Sequence, residues 1–291
     1  VCWLLLYLLG GVWGSSFLCV DTALRSFSPL QVASGRIFIG AIVLFGLSLM
    51  TGHSLTELRL RKNRAWLYCL GMALFTNVLP FSLLCWAQLQ VSSSFAGITM
   101  TIVPLLIIPL AHFFVPGERL SVWKVIGILM GFMGILILFD INEIVREIMV
   151  ASSFLPKLAC ITAAACYAVG SIITRRSPKM SQLVFSTTAL TFASLIVVPV
   201  ALSLESLPIY ASTSAILSVV YLGVFPTGMA TLILVYIIKN AGPSFLSLVN
   251  YLVPIWAIFF GVYFNGEILG VNVLISLFLI FLGLFISRQR G

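Results

Sequence analysis

Charged side chains are scarce in this sequence. Only 16 Lys and Arg and 8 Asp and Glu occur among 291 residues, so 8% of the chain is charged, against about 25% in an ordinary soluble domain. Hydrophobic residues make up 61% of the chain, and its mean hydropathy is +1.17. This is more apolar surface than a water-facing fold of this size can bury. The composition excludes a soluble domain and predicts a membrane protein.

Sequence patterns of catalytic and metal centres are also absent. HExxH, GxSxG and P-loop motifs do not occur, and no pair of carboxylates lies within an apolar run. The six cysteines form no CxxC pair and fall in apolar runs, which is typical of small core residues. The net charge of +8 is spread over loops and forms no basic face with aromatic residues. We therefore expect no enzyme activity, no cofactor, no metal and no nucleic-acid partner.

Ten apolar runs are long enough to cross a bilayer, which takes about 20 residues in a helix. They are continuous Leu, Ile, Val and Phe stretches without the alternation of a β-barrel strand, so helices are the spanning structure. The sequence therefore predicts an all-α polytopic membrane protein with ten transmembrane helices. The predicted spans are residues 2–20, 31–50, 66–89, 95–115, 122–139, 155–174, 183–203, 215–238, 244–264 and 270–287.

Basic residues concentrate on one side of the predicted membrane. When the loops and the C-terminal tail are numbered alternately, 12 of the 16 Lys and Arg fall in one set. Because cytoplasmic loops carry the excess of Lys and Arg, both termini are predicted to be cytoplasmic. The twelve are Arg59, Arg61, Lys62, Arg64, Arg119, Lys124, Arg175, Arg176, Lys179, Lys239, Arg288 and Arg290.

The chain contains an internal duplication at an offset of 150 residues. Residues 94–114 read SFAGITMTIVPLLIIPLAHFF, and residues 244–264 read SFLSLVNYLVPIWAIFFGVYF. Each half then has five helices, an odd number, so the second half enters the membrane from the opposite side. The sequence predicts two inverted five-helix repeats, residues 1–148 and 149–291. Such repeats are typical of transporters that open a midplane site to either side in turn. A duplication kept only for packing is the alternative.

Short motifs in both halves resemble a known transporter family. The first helix ends in VWGSSFL at residues 12–18, and the second opens with ASGRIFIGAIVL at residues 33–44. Each half also has a proline-containing helix that ends in Gly-Glu, at residues 117–118 and 266–267. The whole chain resembles the EamA family of the drug/metabolite transporter superfamily. The resemblance implies a secondary transporter of small metabolites, often an exporter of amino acids or related compounds, in the bacterial inner membrane.

Four prolines lie inside the third, fourth, eighth and ninth predicted spans. A proline removes a helical hydrogen bond and frees the carbonyl four residues earlier. Interrupted helices at matching positions of two halves indicate a transporter site, so these four helices are predicted to wall the substrate cavity. Kinks that serve packing alone are the alternative. The helix-breaking residues are Pro80, Pro104, Pro226 and Pro254.

Helical spacing and residue type give further candidate substrate contacts. Met100 and Thr101 share a face of the fourth helix, and Asn250 and Tyr251 share the matching face of the ninth. A helix–helix contact is the alternative for Asn250. Five aromatic residues offer flat apolar walls with a polar group, or they form an aromatic belt at the membrane surface. These are Trp13, Trp86, Tyr167, Tyr236 and Trp256.

Arg36 is predicted to begin the second helix on the side where the positive-inside rule disfavours a cation. A charge within the membrane is costly and indicates function. Its guanidinium could bind a substrate carboxylate through two hydrogen bonds. It could instead pair with Asp21 or with carbonyls at a helix end.

These features together predict a secondary transporter, an exporter or exchanger, of amino acids or related neutral or zwitterionic solutes that works by alternating access. We expect it to act as a monomer among membrane lipids. His112, Glu118 and Glu267 are candidates for proton coupling, with capping or packing as the alternative. The alternative function is a translocator of lipids or other amphiphiles, or a non-transporting membrane protein of the same fold.

Overall fold

The computed structural model describes residues 1–52, 64–91, 93–118, 120–138, 154–206, 210–256 and 271–287, together with residues 145, 149 and 208. The side chains of residues 93, 94 and 271–274 lie outside this description. Within these ranges the chain is helical and contains no strand, as expected where lipid offers no partner for backbone groups. The helices are α1 (Cys2–Leu24), α2 (Pro29–Met50), α3 (Ala65–Ala87), α4 (Ser93–Thr99, Met100–Ile102 and Val103–Phe114), α5 (Val122–Leu138), α6 (Phe154–Arg176), α7 (Gln182–Leu204), α8 (Thr213–Ala241), α9 (Pro243–Ser247 and 249–256) and α10 (Val271–Ser287).

Seven of these helices are long and apolar enough to cross a membrane: α1, α2, α3, α4, α6, α7 and α8. The apolar stretches of α5 and α10 are shorter in the described residues, and α9 is described only as far as Trp256. Each of the ten predicted spans therefore contains a helix. Where both ends are described, the observed bounds differ from the predicted ones by about one helical turn or less.

The start of α2 is fixed by a capping box and by a carboxylate from another helix. Ser28 precedes Pro29, and the side chain of Gln31 accepts a hydrogen bond from the backbone N–H of Ser28. Glu205, directly after α7, accepts hydrogen bonds from the Ser28 hydroxyl and from the Gln31 N–H. The carboxylate thereby satisfies donors that a helix start leaves free. This contact places the end of α7 beside the start of α2.

Four helices are irregular at or shortly before one of the four prolines that the sequence singled out. The π-helical segment Ala73–Val78 lies in α3 before Pro80, and Gly223–Met229 in α8 contains Pro226. A 3₁₀ turn, Met100–Ile102, interrupts α4 before Pro104. A turn at Leu248 interrupts α9. Irregular turns of this kind are frequent at functional sites.

Helix pairs pack in a pattern that relates the two halves. The most extensive contacts join α5 to α10 and α3 to α6. In addition, α1 packs on α8 and α2 packs on α7, while α2 contacts the π segment of α8 and α7 contacts that of α3. If each helix is replaced by the helix at the same position in the other half, the set of contacting pairs stays the same. The α3–α6 pair, for example, becomes the α8–α1 pair.

Glycine allows the close approach of α5 and α10. A Cβ built on Gly283 would lie 2.4 Å from the carbonyl oxygen of Gly127 and 2.8 Å from the nitrogen of Gly131. No side chain fits at this crossing, which uses the small-residue spacing common in membrane helices. Gly10 and Gly14 likewise face α9, against Leu252, Val253 and Trp256. Both glycine pairs therefore serve packing within the chain.

Half of the twelve basic residues that set the predicted orientation lie outside the described residues, and so does the second Gly-Glu pair of the repeat. They are Arg59, Arg61, Lys62, Arg119, Arg288, Arg290, Gly266 and Glu267.

Candidate functional site

A central cavity of about 90 Å³ lies among α1, α2, α3, α4, α6, α8 and α9. By volume it holds roughly six water molecules. Its wall is mainly apolar and includes a few polar side chains, as is typical of small-molecule sites. Six residues that the sequence selected line it: Trp13, Arg36, Met100, Tyr167, Pro226 and Asn250.

Arg36 lies about two turns inside α2, further into the helix than the sequence suggested. It is 5% exposed and lines the cavity. Its Nε donates a hydrogen bond to the Thr227 hydroxyl over 3.0 Å, and its guanidinium carbon lies 3.8 Å from the centroid of the Phe81 ring. The two contacts fix the plane of the guanidinium. They leave Nη1 and Nη2 without a hydrogen-bond partner among the described residues.

The suggested pairing of Arg36 with Asp21 is not observed. Asp21 accepts from Arg25, four residues later on the same helix, over 3.1 Å. Within the described part of the chain, no carboxylate forms a salt bridge with Arg36. Its neighbours are a hydroxyl and a ring, rather than the helix-end carbonyls also considered. The cation therefore faces the cavity without a counter-charge from the described residues.

Tyr167 of α6 packs against the same phenylalanine. The ring centroids of Tyr167 and Phe81 are 6.4 Å apart in an edge-to-face arrangement, a geometry that aromatic pairs favour. Tyr167 lines the cavity, and its hydroxyl makes no hydrogen bond to a described residue. Arg36 and Tyr167 thus bring two kinds of donor to one side of the cavity.

The π segment of α3 supplies two polar residues that the sequence reading left out. Thr76 and Asn77 are buried and line the cavity. Asn77 donates through Nδ2 to the carbonyl of Met72, but Asn77 Oδ1 and Thr76 Oγ1 have no hydrogen-bond partner among the residues that the structure describes. Gly170 of α6 permits this approach, because a Cβ there would lie 2.3 Å from Thr76 Oγ1. The sequence could have identified Thr76 and Asn77, because they are adjacent polar residues in an apolar span, shortly before a proline.

Asn250 and Trp13 complete the polar part of the wall. Asn250 Nδ2 donates to the Ser247 carbonyl over 2.9 Å, and no described residue donates to its Oδ1. Trp13 Nε1 donates to the carbonyl of Pro226 over 3.2 Å, which joins α1 to the π segment of α8. The side-chain oxygen of Asn250 is therefore available to a ligand. The indole N–H of Trp13, in contrast, already donates to a backbone carbonyl.

Eight of the selected residues lie outside the cavity wall. Thr101 donates to the Ile98 carbonyl of its own helix. Tyr251 donates to the Ile128 carbonyl and Trp256 to the Tyr7 carbonyl, so these two join α9 to other helices. Trp86 is 38% exposed and Tyr236 packs against the largest core cluster. The other three are Pro80, Pro104 and Pro254, which are buried away from the cavity.

Two of the three candidate proton-coupling groups are described, and both lie at or directly after the end of α4. His112 is exposed, and its Nδ1 accepts from the Leu120 N–H over 3.3 Å. Glu118 accepts from the Ser244 hydroxyl, and Glu267 lies outside the described residues. In the described ranges, no group of three His, Cys, Asp or Glu is placed to hold a metal ion.

Comparison with known proteins gives the family. The model of the EamA-like transporter family matches residues 1–140 and 155–289. The Bacillus subtilis (strain 168) protein named "Uncharacterized transporter YoaV" is 22% identical over 278 residues, which cover 95% of this chain and 92% of the relative. The Escherichia coli (strain K12) protein named "Uncharacterized inner membrane transporter YedA" is 24% identical, over 89% of this chain and 81% of the relative.

An "Uncharacterized transporter" of Archaeoglobus fulgidus is 25% identical, over 99% of each chain. A protein of known crystal structure matches with a TM-score of 0.80 at 23% identity, over 98% of this chain and 96% of its own, and therefore shares the fold. The relatives are named as transporters rather than as enzymes. The chain belongs to the EamA-like transporter family and is a multi-pass membrane transporter of the drug/metabolite type.

Proposed function

We propose that this chain is a secondary transporter of small metabolites that carry a carboxylate, with amino acids and related zwitterions as the substrate class. The observation that carries the proposal is the Arg36 guanidinium, which lines a cavity inside a membrane helix without a carboxylate partner among the described residues. An uncompensated charge is costly within a membrane. A substrate carboxylate would supply the counter-charge and accept two hydrogen bonds from Nη1 and Nη2.

The rest of the wall supports a small zwitterion. The Tyr167 hydroxyl offers a further donor beside Arg36, and Asn250 Oδ1 offers an acceptor to an ammonium group. Trp13 and Phe81 give apolar surface for a side chain. The small volume of the cavity favours compact solutes over lipids.

Transport would proceed by alternating access between two inverted repeats, residues 1–148 and 149–291. The offset of 150 supports this arrangement, because it carries Ala73 of the first π segment onto Gly223, where the second begins. The exchange of helix pairs between the halves and the two matched family segments support it as well. Two such bundles can rock around a shared midplane site.

The direction of transport and the setting follow from the same features. No Asp or Glu lies within a predicted span, so export or exchange would follow the gradients of the solutes. The loop charges support a bacterial inner-membrane protein with both termini in the cytoplasm. A chain that contains both repeats can form the pathway as a monomer surrounded by lipid.

The test is uptake into proteoliposomes that contain the purified protein. An amino acid is compared with the amine that lacks its carboxylate and with the acid that lacks its amino group, in wild type, Arg36→Gln and Arg25→Gln. Arg25 is the matched control because it is exposed and pairs with Asp21. We expect saturable uptake of the amino acid by wild type and Arg25→Gln. Arg36→Gln should lose roughly tenfold or more in kcat/KM.

Equal uptake of the amine and the amino acid, or full activity of a folded Arg36→Gln protein, would overturn the carboxylate site. Movement of labelled lipid between leaflets without solute uptake would favour the amphiphile translocator. Arg36→Lys separates charge from geometry, since it keeps the cation but lacks the planar pair of donors.

A further inference from the structure

A second cavity, the vestibule, of about 770 Å³, lies where α6 and α8 end and α9 begins. Neighbouring residues face the two cavities: Ile107 lines the central cavity and Ile108 the vestibule. On α9, Leu246 and Leu248 divide in the same way. These four apolar side chains therefore lie between the two cavities.

Two basic residues join the ends of α6 and α8 at the vestibule. Arg175 Nη1 donates to the carbonyls of Ile238, over 2.9 Å, and of Lys239. In return, Lys239 Nζ donates to the carbonyl of Ser177 over 2.6 Å. Each cation binds carbonyls at the end of the other helix, where the backbone lacks donors and the helix dipole favours positive charge.

A third contact at the vestibule joins α4 to α9. Glu118, in the turn after α4, accepts a hydrogen bond from the hydroxyl of Ser244, at the start of α9. The Glu118 contact holds α4 against α9, the two helices whose apolar residues separate the cavities. Glu118, Arg175, Lys239 and Ser244 are called the clamp below.

The other end of the bundle is held by different contacts: Glu205, directly after α7, accepts hydrogen bonds from the Ser28 hydroxyl and from the Gln31 N–H at the start of α2. The start of α8 lies there, since Ser212 and Ser26 share a hydrogen bond of 3.3 Å beside the end of α1. Arg25 corresponds to Arg175 at the offset of 150, but it pairs only with Asp21 of its own helix and is largely exposed. Gln88, at the end of α3, still lines the central cavity. The two ends of the duplicated chain are thus held by different contacts.

We propose that the clamp is the gate between the central cavity and the vestibule, and that its release opens the substrate site to the vestibule side. This proposal rests on the proposed transport function. The contacts of the clamp are hydrogen bonds to backbone carbonyls and one hydrogen bond between a hydroxyl and a carboxylate, and water can replace each of these partners when the helix ends separate. Opening therefore breaks no ion pair between the halves. Glu118, Arg175, Lys239 and Ser244 are gating residues and do not touch the substrate.

Labelling of a cysteine in the central cavity tests the gate without substrate. In a chain whose six native cysteines are replaced by serine or alanine, Asn250→Cys places a thiol in the cavity wall. A membrane-impermeant maleimide is added from the vestibule side, which is identified by labelling of a separate Lys124→Cys protein, since Lys124 lines the vestibule. Ser244→Ala and Arg175→Met remove donors of the clamp. Lys124→Met is the matched control, because it removes a vestibule cation outside the clamp.

We expect labelling of Asn250→Cys from the vestibule side to rise on the order of tenfold in Ser244→Ala and in Arg175→Met, and to stay unchanged in Lys124→Met. Unchanged labelling in both clamp variants, with each protein monodisperse, would overturn the gate. Ser244→Ala is a small change that protects the test against misfolding of Arg175→Met. Transport is measured in the protein that keeps Asn250. Faster labelling of the clamp variants, without transport of any carboxylate solute by that protein, would keep the gate and overturn the proposed substrate. Unchanged labelling with intact transport would overturn the gate and keep the proposed substrate.

Discussion

The guanidinium carbon of Arg36 lies 3.8 Å from the centroid of the Phe81 ring. The ring orients the cation that the proposed substrate would bind. Replacement of Phe81 by leucine keeps an apolar side chain but removes the cation–π interaction, which contributes about 0.5–2 kcal/mol. We expect Phe81→Leu to raise KM for the transported amino acid severalfold in proteoliposome uptake. Phe278→Leu, at a position that is 65% exposed on α10, should leave KM unchanged, and an equal effect of both changes would contradict the prediction.

Tyr167 and Tyr221 form a matched pair for the role of a hydroxyl. The Tyr167 hydroxyl lines the cavity without a described hydrogen-bond partner, whereas the Tyr221 hydroxyl shares a hydrogen bond of 2.7 Å with Ser15. We expect Tyr167→Phe to raise KM severalfold at unchanged thermal stability. Tyr221→Phe should lower stability by about 1 kcal/mol and leave KM unchanged. Uptake kinetics and thermal unfolding in detergent measure both, and a stability loss in Tyr167→Phe alone would argue for a structural role.

Thr76→Val should stabilise the protein. The Thr76 hydroxyl is buried, and no described residue forms a hydrogen bond with it. A buried hydroxyl without a partner costs about 1–3 kcal/mol, and valine has nearly the same shape. Thr174 is the control, because its buried hydroxyl donates to the Gly170 carbonyl over 2.8 Å. We therefore expect a higher unfolding temperature for Thr76→Val than for Thr174→Val. The reverse order would show that Thr76 has a partner.

Gly283→Ala should destabilise the packing of α5 against α10. The added methyl group would meet the backbone of Gly127 and Gly131 within 2.8 Å, so the helices must separate. We expect a loss of about 1–3 kcal/mol in unfolding free energy. Gly46→Ala is the control, since nothing lies within 4 Å of its Cβ position; it should be neutral or slightly stabilising, because alanine favours helix. A tolerant Gly283 would place the two helices further apart than described.

The helices could be predicted from the sequence because each span is a long apolar run that has no other way to satisfy its backbone in lipid. The direction of individual side chains could not. Met100 and Thr101 were assigned to one face, as were Asn250 and Tyr251. Met100 and Asn250 line the cavity, whereas Thr101 and Tyr251 donate hydrogen bonds to backbone carbonyls. Neighbouring residues point about 100° apart on a helix, so only one of two can face a narrow cavity.

Proline alone was also an incomplete guide to the irregular segments. Pro109 and Pro199 lie inside α-helical stretches without a change of helix type. Trp256 was selected for its indole, but its ring lies against Gly10, Gly11 and Gly14 of α1. Because that contact joins residues far apart in the chain, the local sequence of α9 does not predict it. The local sequence predicts the membrane spans, whereas the residues that line the cavity depend on which helices pack together.

The π segment Ala73–Val78 has a consequence for the phase of the helix that follows it. A π turn holds one residue more than an α turn, so it acts as a built-in insertion of one residue. If the same residues formed a regular α-helix instead, everything downstream would rotate by about 100°. Phe81, Cys85 and Gln88, which now line the cavity along α3, would turn away together. The angular position of half a helix is therefore set by a single extra residue.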